Sequence, residues 1–126
     1  MQEIRFTVWQ FVRLMVQLEE TIKKDKTGPT KKLYDAWEDI WVELDAKLLD
    51  FGRDKPDEFA DLMMNQEVCC EEVTFEERKL IILEFKKVMQ TLKQELAKAD
   101  DDQTVEDLTF ELDELVLFSK ELKSMK

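Results

Sequence analysis

Along residues 2–26, Ile4, Val8, Phe11, Met15, Leu18 and Ile22 are spaced by three or four positions, which keeps one face of a helix apolar throughout. Trp9, Val12 and Val16 widen that stripe. Thr27, Gly28, Pro29 and Thr30 then predict a stop, with glycine suited to a left-handed cap, proline unable to continue the ladder and Thr30 placed to cap the next helix. Residues 31–51 repeat the pattern with Leu33, Trp37, Ile40, Leu44, Leu48 and Phe51, flanked by Tyr34 and Trp41, and Gly52 marks the end. Periodicity weakens over 53–73, where Pro56 predicts the first turn of a short helix reaching about residue 66 and carrying Phe59, Leu62 and Met63.

Thr74, Phe75, Glu76 and Glu77 form a capping-box pattern, in which the threonine hydroxyl accepts from the Glu77 amide and the glutamate reaches back to the cap amide. It opens a third long helix with Ile81, Ile82, Phe85, Val88, Met89, Leu92 and Leu96 on its apolar face. Asp100, Asp101 and Asp102 interrupt the pattern. Thr104 is then placed to cap a fourth helix whose inner face is Val105, Leu108, Leu112, Leu115, Ser119 and Leu122, and which runs close to residue 126.

Four amphipathic helices of roughly 20 residues, each about 30 Å long, joined by short links, favour antiparallel neighbours. The expectation is a single all-α domain over residues 1–126, an up-down-up-down antiparallel four-helix bundle with a short extra helix between the second and third long helices. The rival arrangement is a pair of helical hairpins completed by another chain. Composition agrees, because two Gly and two Pro in 126 residues cannot supply the turns of a multistranded sheet. With 44% hydrophobic residues, disorder is also disfavoured.

The absence of histidine removes Ser-His-Asp and Cys-His catalysis and the commonest zinc, copper or iron ligand, and it excludes the Glu-x-x-His sites of di-metal bundles. A net charge of −11 disfavours nucleic acid and anionic membrane as partners and would steer in a basic protein. Gln2, Glu3 and Arg5 make the start of the chain largely polar and Arg13 breaks the apolar stretch that follows, so neither a secretory leader nor a membrane span is expected and the cytoplasm is the default address.

The acid lies in two blocks, each of eight carboxylates with no base, over 57–77 and 100–114. Lys23, Lys24, Lys26, Lys31 and Lys32 surround the first connection and would lie near Asp100 to Asp102 in an up-down bundle, so part of the excess is answered within the molecule. On a helical wheel of the fourth helix, Phe110 and Leu117 fall opposite Leu108, seven residues apart, among Glu106, Asp113, Glu114 and Glu121. Two apolar anchors in a carboxylate rim suit a basic, partly apolar protein partner. The competing expectation is that the short helix near Phe59 covers them, or that they are isolated exposed side chains.

Cys69 and Cys70 are flanked by Glu67, Glu71 and Glu72, which disfavours a reactive thiolate, and their spacing matches neither a redox pair nor a zinc site, so partly buried small hydrophobes are expected. Asp100, Asp102, Thr104, Glu106 and Glu111 fall near calcium-loop offsets, but Val105 occupies the position that needs glycine, and the loop is rejected. Glu58 with Asp61 and Glu111 with Glu114 have the one-turn spacing with which all-α pyrophosphohydrolases bind magnesium, yet no further carboxylate is expected at a core position. Trp9, Trp37 and Trp41 are expected in the core.

No catalytic, cofactor-binding or metal residue is therefore assigned. Small, acidic, helical chains without catalytic groups include immunity proteins, antitoxins, nuclease inhibitors, secretion chaperones and adaptors, a likeness of character that transfers no residue. The leading expectation is a module that occludes a basic partner protein through Phe110, Leu117 and their carboxylates. The alternatives are a magnesium-dependent nucleotide hydrolase and a structural homodimer using the additional apolar stripes of the first and fourth helices.

Overall fold

The N-terminal residues do not join the helix that their apolar spacing predicts. In the computed structural model, which describes residues 2–26 and 28–124, Gln2–Thr7 is a strand (β1) and the helix α1 spans Val8–Lys24. Spacing of four between Ile4 and Val8 fits a period of 2 as well as one of 3.6. Phe6 decides between them, because Ile4, Phe6 and Val8 alternate with the polar Glu3, Arg5 and Thr7. The switch occurs at Thr7, whose hydroxyl accepts from the Gln10 amide at 3.1 Å while the Gln10 side-chain oxygen accepts from the Thr7 amide at 2.9 Å.

The remaining elements are α2 (Pro29–Asp54), α3 (Pro56–Asn65), β2 (Glu67–Val73), α4 (Phe75–Lys98) and α5 (Asp102–Ser124). The protein is thus mainly helical with a small antiparallel sheet of β1 and β2. It forms two compact units, Met1–Glu77 and Arg78–Lys126.

Three further boundaries differ from the expected ones. Pro29 opens α2 in the first turn, where its missing N–H is harmless, so Thr30 lies inside the helix rather than at its cap. No described glycine has a positive φ, and Gly28 is not a left-handed cap; Thr27, expected in the same break, lies outside the described residues. α2 continues through Gly52 to Asp54, since a glycine inside a helix costs only about 1 kcal/mol and does not terminate it. Helix α5 starts at Asp102, two residues before Thr104, with an aspartate in its first turn where the helix dipole favours it.

In the first unit, Phe6 of β1, Phe11 of α1 and Trp37 of α2 form an aromatic triangle with ring centroids 5.9, 5.9 and 6.1 Å apart. Both phenylalanines are completely buried and Trp37 nearly so. Beside it, Val8, Leu48 and Leu62 pack with Val12, Leu44, Phe59, Met63 and Val68, tying α3 and β2 to α1 and α2. Glu19 of α1 accepts hydrogen bonds from the Tyr34 hydroxyl at 2.7 Å and Trp41 Nε1 at 3.1 Å, both on α2. Trp41 is therefore half-buried, with its N–H satisfied, while Trp9 and Trp37 take the expected core places. Val16 and Ile40, expected on apolar stripes, are exposed, and Leu14 is buried in their stead. The side chain of Phe51 is outside those described.

The β1–β2 register contains a bulge. Ile4 pairs with Cys70 and Gln2 with Val73, so Glu71 and Glu72 together oppose Glu3. Without the extra residue, strict alternation would turn Glu72 inward and Val73 outward. With it, Val73 is buried, Glu72 is exposed and Glu72 adopts φ 56°, the left-handed region that a side chain normally avoids. Burying a valine contributes about 1.5–3 kcal/mol and avoids burying a carboxylate, which outweighs a left-handed residue at about 1–2 kcal/mol.

In the second unit a link over 99–101 joins α4 to α5, and Phe85 meets Phe118 edge to face at 5.6 Å, so the helices fold back on each other. Ile81, Phe85, Val88 and Leu92 of α4 and Leu115, Phe118 and Leu122 of α5 are buried. Burial thins toward the link: Leu96, Leu108 and Leu112 are half-buried and Val105, expected inside, is exposed. Glu84 is a buried carboxylate at a core position, where none was expected, with Lys87 Nζ 3.1 Å from its Oε1 one turn on. The lysine half-exposes its head while answering the charge, which lets a carboxylate occupy the site. The Thr74 and Glu77 capping box forms as expected at the start of α4, with bonds of 3.1 and 3.0 Å.

Because Glu72 is exposed, replacing it removes no packing and isolates its backbone conformation. Glu72→Gly is expected to raise unfolding stability by about 1 kcal/mol and Glu72→Val to lower it by a similar amount or more, read as shifts of the urea midpoint at constant slope.

Candidate functional site

Helix α5 buries Leu115, Phe118 and Leu122 on one side, whereas Phe110 is 51% and Leu117 55% exposed on another, with Val105 and Val116 exposed outside both sets. At about 100° per residue, Phe110, Leu117, Glu106, Asp113, Glu114 and Glu121 fall in one stripe about 100° wide on the side away from the buried residues. All four carboxylates are exposed, and Lys120 borders the stripe at its C-terminal end. The structure thus brings the six residues selected from the sequence onto a single uncovered face, seven residues separating the two apolar side chains.

The carboxylate pairs at one-turn spacing lie in different units, Glu58 and Asp61 on α3 and Glu111 and Glu114 on α5. Glu58 is 3.7 Å from Lys55 Nζ, and Asp61 accepts from the Asn65 side-chain amide, so both are engaged locally. Residues 102–111, which fall near calcium-loop offsets, are helical. Among the described residues no group of three His, Cys, Asp or Glu is arranged to hold a metal ion. No described helix is long and apolar enough to cross a membrane.

A cleft of about 410 Å³ opens between α2 and β2, and helical periodicity gave no sign of it because it depends on a strand. Trp37, Ala36 and Ile40 line it from α2, and Cys69, Cys70, Glu71, Glu72 and Val73 from β2. Five consecutive residues of β2 line it, and among the described residues the edge of β2 away from β1 is unpaired. Glu71, Glu72 and Glu77 give the cleft carboxylates and no base. Charged residues and a bulge along a strand edge are features that discourage pairing with other chains.

The two cysteines differ although adjacent. Successive strand side chains project to opposite faces, which leaves Cys69 exposed beside Arg5 of β1 and Cys70 buried, and which excludes a ring disulfide between them. Burial pushes the Cys70 thiol up to about 12, with the neighbouring Cys69 adding to the shift. Cys70 is the small hydrophobe expected of both; Cys69 is not. The Tyr34 hydroxyl is likewise pushed up to about 12, first by burial and then by its hydrogen bond to the Glu19 carboxylate.

No known protein family matches the protein, and no curated protein and no solved structure matches it either.

The split between the thiols is measurable. At neutral pH, dithiodipyridine is expected to titrate one thiol rapidly, with the second reacting only as the protein unfolds, and Cys69→Ser should remove the rapid phase. A reversed order in Cys69→Ser and Cys70→Ala would contradict the strand geometry. The alkaline limit follows from the same groups. Unfolded Cys and Tyr ionise near 9.0 and 10.0, whereas the native groups stay neutral to about 12, so stability is fully present below pH 9 and is lost as pH rises from 9 toward 12. The urea midpoint should fall over that window, and Cys70→Ala should remove the part of the fall that begins near 9.

Proposed function

We propose that the protein is a cytoplasmic protein-binding module, of the inhibitor, immunity, antitoxin, chaperone or adaptor kind, that occludes a basic partner protein through the outer face of α5. The observation that carries this reading is the exposure of Phe110 and Leu117, 51% and 55%, seven residues apart and bordered by Glu106, Asp113, Glu114 and Glu121. Completing the burial of two half-exposed side chains contributes about 1 kcal/mol each, enough to hold an oriented complex but not to form one unaided. Carboxylates supply the approach: a field of one sign accelerates encounter with an oppositely charged surface and rejects like-charged ones. The exposed Cys69 thiol suits a reducing compartment. The same reading takes the four long helices as one up-down-up-down antiparallel bundle, on the strength of their apolar periodicity alone.

Capture from an extract of the native cells tests the reading. The tagged protein is expected to retain a basic protein at low ionic strength, and raising salt to about 0.3 M should weaken retention at least about tenfold. Leu117→Asp should lower the affinity at least about tenfold, with an unchanged circular dichroism spectrum and urea midpoint. Retention indifferent to both salt and Leu117→Asp would remove the α5 face from consideration.

A further inference from the structure

The outer face of α4 is the electrostatic complement of the outer face of α5. Lys79, Lys86 and Lys93 are exposed and spaced by seven residues, so they fall in one row along the helix. Leu83, 50% exposed, lies between the first two on the same face, and the exposed Gln90 and Ala97 continue it. At about 100° per residue this row lies opposite the buried Ile81, Val88 and Leu92. On α5 the same seven-residue step relates Glu106 to Asp113, Phe110 to Leu117 and Glu114 to Glu121. One helix of the unit therefore presents lysines around an apolar side chain, and the other presents carboxylates around two.

We infer that the occupant of the α5 face is α4 of a second copy of this protein. The inference rests on the reading of that face as a docking surface for a basic surface, and replaces a separate basic protein by the lysine face of a second copy, whose net charge is −11. Both faces point away from the buried side of their own unit, so the rows can meet only between molecules. The matched seven-residue step lets lysines of one helix follow the carboxylates of the other over at least two repeats, with Leu83 placed among Phe110 and Leu117. The closed form of such a contact is a two-fold dimer with α4 of each copy on α5 of its partner, whereas a single pair of faces per contact gives an open head-to-tail chain of copies. Arg78–Lys126 carries nine basic and eleven acidic residues, so this unit is close to neutral and the excess charge of the whole protein does not forbid the contact.

Light scattering and sedimentation on the full-length protein read the outcome. The mean mass is expected to rise from 15.1 kDa toward twice that between micromolar and near-millimolar concentration, and salt of about 0.3 M should weaken the association at least about tenfold. Two triple variants reverse one face each: Lys79→Glu, Lys86→Glu and Lys93→Glu on α4, and Glu106→Lys, Asp113→Lys and Glu114→Lys on α5. Each should be monomeric when alone. Mixed, the α4 variant and the α5 variant should form a one-to-one complex, because both facing pairs regain opposite charge. A wild-type mass that stays at 15.1 kDa throughout overturns the inference, as does a mixture of the two variants that remains monomeric while each keeps its native circular dichroism spectrum. The two readings separate on the lysine row: a basic protein still captured by the α4 variant, and lost in Leu117→Asp, leaves the α5 docking surface standing with a different occupant. Failure of Leu117→Asp to affect either measurement removes both.

Discussion

The contact on which the first unit depends is the triangle of Phe6, Phe11 and Trp37. It joins the strand β1, the helix α1 and the helix α2 through buried rings at about 6 Å, the separation at which tilted aromatic pairs attract beyond their burial. A two-stranded sheet is marginal in water by itself. Phe6 supplies the apolar face that anchors this one, and the bulge at Glu71 and Glu72 keeps Val73 on the same face. From that anchoring follow the split of Cys69 from Cys70 and the cleft lined by β2.

Polar groups in the interior are few and mostly answered one by one. Glu19 gathers donors from Tyr34 and Trp41, and hydrogen bonds to a carboxylate contribute about 1.5–3 kcal/mol, more than neutral ones. Glu84 has Lys87 one turn away. Ser119 Oγ is buried without a hydrogen-bond partner, a modest loss placed on the inner side of α5, away from the charged face. Charge on the second unit is instead sorted by face, acidic on α5 and basic on α4, with an apolar side chain or two at the middle of each. This sorting gives the proposed docking its direction, since neither face would attract a copy of itself.

Much of the helical content was legible. The apolar faces of α4 and of the C-terminal half of α5, the capping box at Thr74 and Glu77, and Pro56 at the start of α3 all stand where periodicity and cap chemistry put them. Thr7 and Gln10 form a second capping box whose pattern was equally present in the sequence, and it marked the true start of α1. Ile4 and Val8 concealed it, because their spacing suits a strand and a helix alike. Gly52 misled for the opposite reason: glycine weakens a helix without ending it, and the neighbouring turns of α2 carry the ladder through. The separation of Phe110 and Leu117 from the buried side of α5 was legible because it needs only the helical period and local sequence.

Which segments are mainly helical, which face of each is apolar and where charge accumulates all depend on residues three or four positions apart, and so can be read along the chain. The pairing of residues 2–7 with 67–73 cannot, because it joins segments about sixty residues apart and its register hangs on a single extra residue. The same holds for the exposure of Val16, Ile40 and Val105 and for the burial of Glu84. An apolar periodicity states that a face is available; whether each position on it is covered depends on what the rest of the fold brings there.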